Sequence, residues 1–382
     1  MRACVLTTVH RYNDNRIFYK HLPTLLRAGY QVTYIAPCPE ELRSVEGMDL
    51  IPLPLLPRSR RPLNWWRALK AALHSRADIF HFHDPELIGV GLLLKMLTGR
   101  PVVYDVHENY PQVMQRRLWI PAKVRPAVAK AMGAWEWLAT RALDAIVAAN
   151  PPTYQRFQRA TRKAVLVNNY VDLSRFDHSP ASISSKGDSP YFVYCGSLSS
   201  QRGALDCLRA FELLSREDAR LLLVGPLDDA DPSVSDLPDR LPTGARLLKA
   251  QPFEQLPSLL RSSVSGLVTL HPTPNYLEIL PTKLFEYMAA SIPVIAYDLP
   301  LIRPIIEGAR CGILVKPGDL EGLRSAMSYI LDHPAEAGEM GRRGRQAVME
   351  RYSWDMEGRK LLGLYEELLL EKPPPGQRGR KE

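Results

Sequence analysis

Cysteine is scarce: five residues, at positions 4, 38, 195, 207 and 311, with no Cys-x-x-Cys pair. An odd, scattered set argues against a disulfide framework and a cysteine zinc site, and fits a reducing compartment. Long apolar runs are also missing. The longest, Leu87–Leu94, stops at Lys95, far short of the ~20 residues that a membrane span needs. The apolar stretch Ala3–Val9 ends at His10 and Arg11 without a small-residue cleavage site, so no signal peptide is expected. No Gly-x-Gly-x-x-Gly follows the first β-rich run and no glycine-rich loop ends in Gly-Lys-Ser/Thr, which weakens oxidoreductase and nucleoside triphosphatase readings. Gly338, Gly341 and Gly344 share a spacing of three but sit in an Arg-rich helical region, where helix surface is the better reading. What the chain does have is a globular composition, 46% hydrophobic and 24% charged over 382 residues, enough for two domains. A soluble, cytoplasmic protein is expected.

The net charge of +8 is uneven. Residues 1–185 carry 25 Lys/Arg against 14 Asp/Glu, and the remainder 24 against 27. A basic first half points to an anionic partner. No nucleic-acid module is recognisable and the basic residues form no single arm, so nucleic acid is not the expected partner.

Short Val/Ile/Tyr-rich runs alternate with helical stretches, the pattern of a parallel sheet covered on both faces. Strands are predicted at 2–9, 31–36, 78–83, 101–106, 145–149 and 164–167, with helices at 16–28, 86–97 and 122–143. The Ser/Pro/Gly stretch 179–190 interrupts this rhythm and is the best linker. The alternation restarts with strands at 191–195, 220–224, 245–248, 266–270, 293–297 and 312–315, helices at 204–214 and 282–290, and three closing helices within 319–370. The expected fold is α/β, with two Rossmann-like domains in tandem and an inter-domain cleft. The first covers 1–180 and the second 181–355; a helix over 356–371 can cross back to the first, and 372–382 is a Pro-rich, charged, disordered tail. Ligands of open α/β sheets bind beyond the carboxyl ends of the strands, so the rims of those ends are where chemistry is sought.

The informative segment is NYLEILPTKLFEYMAASIPVIAYD, residues 275–298. Pro281 and Thr282 mark a loop-to-helix junction whose first-turn N–H groups can hold a phosphate, with Lys283 adding a full charge. Glu286 can accept hydrogen bonds from ribose hydroxyls and Glu278 can face another part of the ligand, although two glutamates alone are also an ordinary acidic helix face. In the first half, His83, Asp84 and His107 end their strands near the expected cleft. His10, Asp14 and Arg16 sit in the first strand-to-helix loop, where helix capping by Asp14 is an equally good reading.

The 275–298 segment resembles the glutamate–seven residues–glutamate motif of the retaining glycosyltransferase family 4, which has the GT-B fold. The opening stretch from Thr7 to Pro37, HFHDPE (81–86), VVYDVHENYP (102–111), YCGSLSSQRGALDCLRAF (194–211), LLLVGP (221–226) and ILPTKLFEYMAASIPVI (279–295) resemble further family signatures, in order. The resemblance covers residues 1–360. It implies that Glu286 binds the ribose of a nucleotide sugar, that Glu278 contacts the donor sugar, and that Arg202 neutralises the diphosphate. Gly196, Ser197, Gly203, Pro281, Thr282, Lys283 and Leu284 complete the implied donor site. His107 would touch the transferred sugar, and Glu108 would join His10, Asp14, Arg16, His83 and Asp84 on the acceptor side. Three departures stand out: Ser197 where the family often has arginine, and Pro281 and Ser291 where glycine is commoner. Lys283 could supply the charge missing at Ser197.

The implied activity is transfer of a sugar, with retention, from a nucleotide-diphosphate sugar to a lipid-linked or cell-surface glycan acceptor, a UDP-sugar being favoured and GDP-mannose next. A nucleotide-sugar 2-epimerase and a non-catalytic membrane-associated scaffold are the alternatives. No cofactor or metal is expected, because fixed cations and a helix terminus can stabilise the leaving diphosphate. Asp229 and Asp231 form a carboxylate pair, but lie in a Pro/Ser/Asp loop that suits turn chemistry. His81 and His83 face one side of a strand and could bind metal, yet no third ligand is visible, and hydrogen-bonded core histidine is the simpler reading of His81. Five of six tryptophans (65, 66, 119, 135, 137) fall in the basic half. Trp66, Leu69 and Leu73 share a helical face beside Arg67 and Lys70, which suits an anionic membrane surface at the inner face of the cell membrane; packing of helices on the sheet competes.

Overall fold

The computed structural model describes residues 1–39, 41–42, 44–45, 47–117, 120–177, 190–252 and 254–372. The expected linker 179–190 and the tail 372–382 therefore lie almost wholly outside the described residues, as does Trp119. The chain divides into two units, Met1–Asn169 with Asp355–Glu382, and Tyr170–Trp354.

In the first unit the described strands are β1 (Arg2–Leu6), β2 (Gln31–Pro37), β3 (Ser44–Val45), β4 (Met48–Leu53), β5 (Ile79–Phe82), β6 (Val102–Val106), β7 (Ala145–Ala148) and β8 (Ala164–Leu166). Their order is β3-β4-β2-β1-β5-β6-β7-β8, parallel throughout except that β3 runs antiparallel to β4. β5, β6 and β7 are buried at every residue, as strands covered on both faces must be. The sequence did not suggest β4, whose Pro52 and Asp49 read against a strand; it lies toward the sheet edge, beyond β2.

The second unit carries β9 (Tyr191–Cys195), β10 (Arg220–Val224), β11 (Ala245–Leu248), β12 (Ser263–Val268), β13 (Val294–Tyr297) and β14 (Gly312–Val315), ordered β11-β10-β9-β12-β13-β14 and all parallel. Alternate residues feed opposite faces: Val193 and Cys195 enter one core cluster, Phe192 and Tyr194 the other.

The unit boundary falls at Asn169/Tyr170, earlier than the expected 180/181. Tyr170 stacks edge-on against Phe285 and Tyr352, and the Trp354 N–H donates to the Val171 carbonyl at 2.7 Å. These contacts tie 170–177 to the second unit. From Asp355 onward, the closing helix Trp354–Glu371 belongs to the first unit. Its Glu357 carboxylate accepts from the Asn168 N–H at 2.9 Å, and its Tyr365 hydroxyl shares a 2.8 Å hydrogen bond with His81 Nδ1. No described helix is long and apolar enough to cross a membrane.

Among its parallel strands each sheet reverses order once, between β1 and β5 in the first unit and between β9 and β12 in the second. These switch points are where ligands of open α/β sheets bind.

Candidate functional site

At the first switch point the backbone leaving β1 wraps around Asp84, which follows β5. Asp84 Oδ2 accepts from the Thr8 N–H (2.6 Å), the Thr7 hydroxyl (2.8 Å) and the Val9 N–H (3.1 Å), while Oδ1 lies 2.9 Å from His10 Nδ1. Burial opposes a charge on His10, but the Asp84 hydrogen bond and the carboxylates of Asp84, Asp14 and Asp105 outweigh it and raise its pKa to about 9. Although Asp84 is buried, its pKa is lowered by His10 and by the Thr7–Thr8 donors. The pair is thus an ion pair at neutral pH, and it shapes the loop.

His107, just beyond β6, packs tilted beside His10 with ring centroids 4.7 Å apart, and its Nε2 shares a 3.1 Å hydrogen bond with His83 Nδ1. Burial lowers the His107 pKa to about 4, because the nearby His10 and Arg16 charges offset the attraction of Asp105. His107 is therefore a neutral imidazole whose ring is held from below. His10, Asp84, His107 and Glu108 line a cavity of about 920 Å³ walled by Trp, Leu, Met and Arg side chains.

Three expected acceptor residues do not line this cavity. Asp14 accepts from the Arg16 and Ile17 N–H groups (2.9 and 3.0 Å), so it caps the following helical turn. Arg16 is buried and donates two hydrogen bonds to Asp105, at 3.1 and 3.2 Å. His83 lies fully buried beneath His107. Sequence reasoning missed Asp105 altogether, although it stands inside the quoted VVYDVHE run. It also missed His21, whose Nε2 is 3.5 Å from Asp105 Oδ2. The expectation that His81 and His83 lack a third metal ligand is corrected here: His21, His81, His83 and Asp105 offer ligand atoms within 4.8 Å of one another. The Arg16 guanidinium on the same Asp105 carboxylate opposes a cation at that point.

In the second unit, Gly196 follows β9 and the helix Thr282–Ala289 aims its first turn into the same region. Lys283 is 5% exposed, its Nζ makes no hydrogen bond among the described residues, and it sits 3.5 Å from the centre of the Tyr194 ring. Burial, reinforced by the charge of Arg202, pulls its pKa down to about 7. A Cβ placed on Gly196 would lie 3.9 Å from Lys283 Nζ and 4.0 Å from Arg202 Nη1. Two cations thus converge over one glycine. Pro281 caps the helix with extended backbone and no side-chain hydrogen bond. Glu286 is buried one turn on, and Glu278 is half-buried in the preceding loop.

Two backbone positions make this approach sterically feasible. Gly203 has φ +72°, and a Cβ there would meet the Thr269 carbonyl at 2.0 Å. Gly225, which the sequence reading passed over, has φ +147°, and its Cβ would strike the Gly196 carbonyl at 2.0 Å. Both lie in conformations open mainly to glycine. Ser197 keeps its turn through its carbonyl, which accepts from the Tyr194 hydroxyl at 3.0 Å. Asp231 accepts from the Ser200 N–H and hydroxyl and from Ser233, which lowers its pKa to about 2. Its carboxylate staples a loop.

Of the tryptophans expected at a membrane, Trp65 is half-buried, while Trp66, Trp135 and Trp137 are exposed.

The family description "Glycosyltransferase Family 4" matches residues 15–175, and "Glycosyl transferases group 1" matches residues 189–333. The chain is 23% identical to the MMP alpha-(1->4)-mannosyltransferase of Mycolicibacterium hassiacum over 79% of its own length and 74% of that protein's. It is 22% identical to the phosphatidyl-myo-inositol mannosyltransferase of Mycolicibacterium smegmatis, over 89% and 86%. Among solved structures, sucrose-phosphate synthase from Thermosynechococcus elongatus superposes with a TM-score of 0.73 at 19% identity, covering 97% of this chain and 99% of that one.

Proposed function

The chain belongs to glycosyltransferase family 4 and is a glycosyltransferase of GT-B fold, and we propose that it transfers a sugar, with retention, from a nucleotide-diphosphate sugar to a glycan or lipid-linked acceptor. One observation carries the donor reading: Lys283 Nζ is buried without a hydrogen-bond partner among the described residues and shares the space over Gly196 with Arg202. A buried ammonium with no hydrogen-bond acceptor is costly, and a diphosphate between Lys283 and Arg202 would supply acceptors and charge. The helix first turn adds its N–H groups.

In the proposed reaction an acceptor oxygen bonds to C1 of the sugar as the C1–O bond to the diphosphate breaks. The electron pair stays on the diphosphate and the acceptor proton passes to it. Lys283, Arg202 and the helix terminus hold the developing charge in a preorganised site, and no metal is required of them. Glu286 would hold the ribose and Glu278 the sugar, and neutral His107 would meet a hydroxyl of the acceptor in the first unit. UDP- and GDP-sugars are both donors of the right chemistry, and relatives named as GDP-mannose-dependent mannosyltransferases give GDP-mannose weight beside UDP.

Thermal stabilisation by UDP, GDP, ADP and dTDP, each with magnesium and with EDTA, tests this reading. A ligand of the native state at 100 times its Kd adds about 2.7 kcal/mol. The expected result is a shift with one nucleotide that EDTA leaves unchanged, and that Glu286→Ala abolishes. No shift with any nucleotide overturns the donor site; a shift that needs magnesium overturns its metal independence.

A further inference from the structure

The 920 Å³ cavity of the first unit is unlike a site for a bare sugar. That volume is near the top of the ~300–1,000 Å³ range of small-molecule pockets. Sugars are held through many hydroxyl contacts, yet Trp65, Trp66, Leu69, Leu93, Met132 and Trp135 line this cavity. Trp66 and Trp135 line the cavity while remaining 69% and 44% exposed, so the apolar wall continues to its mouth. Exposed apolar surface that runs into a cavity marks a binding site.

Three arginines line the same cavity. Arg58 and Arg61 flank the helix Pro62–His74 on its N-terminal side, and Arg117 follows the helix Tyr110–Arg116. They are close enough that partial burial and the charges of Arg117 and Arg61 lower the Arg58 pKa. Glu86 answers Arg61 only at 3.8 Å, and its other oxygen accepts from the Thr8 hydroxyl. The Trp65 indole N–H is buried without a hydrogen-bond partner among the described residues. Clustered arginines with an unpaired donor match phosphate oxygens, which guanidinium groups bind in fork geometry.

From these features we infer that the cavity binds a single-chain lipid carrying a phosphate or diphosphate, its head group on Arg58, Arg61 and Arg117 and its chain along the tryptophan wall. This deepens, and rests on, the acceptor half of the proposed function: His10, His107 and Glu108 line the same cavity, so an acceptor group on that head reaches them.

The test uses the full chain and short soluble probes: farnesyl diphosphate, farnesol and inorganic diphosphate, titrated calorimetrically below the micellar range. Farnesyl diphosphate should bind at least tenfold more tightly than either fragment. Replacing Arg58, Arg61 and Arg117 together with alanine should remove that advantage over farnesol. Trp66→Ala, at an exposed position that cannot unfold the unit, should weaken farnesyl diphosphate several-fold and leave inorganic diphosphate unchanged. Equal affinity for farnesol and farnesyl diphosphate overturns the phosphate assignment. Capture by anionic phospholipid vesicles with no binding of monomeric farnesyl diphosphate overturns the cavity site and makes the face a membrane contact. Nucleotide-induced thermal shifts on the same samples report the second unit separately, so failure of the donor reading is distinguishable from failure of this one.

Discussion

Lys283 illustrates how a proposed binding residue can work against stability. Its folded pKa of about 7 lies below the ~10.4 of an exposed lysine, so between those values the unfolded chain holds more protons and stability rises with pH. The penalty is full below pH 7 and gone above the unfolded value. Lys283→Met should therefore stabilise the ligand-free protein by about 2 kcal/mol at pH 6.5, less at pH 9, while abolishing stabilisation by nucleoside diphosphates but not by the nucleoside. Urea unfolding at both pH values, with and without nucleotide, checks this; a less stable variant would remove the argument for an unpaired cation. His10 has the opposite sign. Its raised pKa of about 9 means that the His10–Asp84 pair stabilises fully below pH ~6.5 and is lost as pH rises through 9. The stability gap between wild type and His10→Gln should shrink by about 1 kcal/mol from pH 6 to pH 9.5, the figure being discounted because His10 is partly exposed. A gap that stays constant with pH would mean that the imidazole is not charged in the native state.

At the scale of the element, the helix Thr282–Ala289 shows what a sequence reveals and what it hides. Ser291, noted as standing where glycine is commoner, has φ +62°, and the left-handed region costs a residue with a Cβ about 1–2 kcal/mol. Its carbonyl also lies 2.0 Å from where a Cβ on Gly341 would fall, so the turn is pinned by the helix Pro334–Arg351 and cannot relax. Ser291→Gly should raise stability by up to about 1 kcal/mol after the unfolded-state entropy of glycine is subtracted, visible as a higher urea midpoint with an unchanged slope. A lower midpoint would mean that the hydroxyl does more than the backbone loses. Pattern made such stretches legible because they are local: Lys283 and Glu286 lie on one helical stretch, and buried strands such as β6, β9 and β13 are short apolar runs that each follow a proline. What stayed hidden is assembled across the chain. Asp105 gathers Arg16, His21, His81 and His83 from a helical turn and a neighbouring strand, and no spacing in the sequence encodes that meeting. Tyr194 beneath Lys283 is of the same kind, as is β4, which Pro52 disguises.

Across the whole molecule, the charge asymmetry goes with two different arrangements of cations. The basic half carries its cations largely on the surface: Arg58 and Arg117 are exposed in the cavity wall. The other half is net acidic, yet it keeps Lys283 buried and Arg202 half-buried over Gly196. Salt acts differently on these two arrangements, because the Debye length falls from roughly 10 Å at 0.1 M to about 3 Å at 1 M and screens exposed charges far more than buried ones. Raising sodium chloride from 50 to 500 mM should therefore weaken farnesyl diphosphate binding by about tenfold and nucleoside diphosphate binding by no more than about threefold. Calorimetric titration of both ligands across that range decides the matter. If the nucleotide proves the more salt-sensitive, its phosphates sit in solvent and not against Lys283, and the donor would have to be held chiefly by its base and ribose. If the lipid diphosphate is insensitive, the chain and not the arginines provides its affinity. The acceptor would then be selected by its tail, with the head group left to the histidines at the end of β1 and β6.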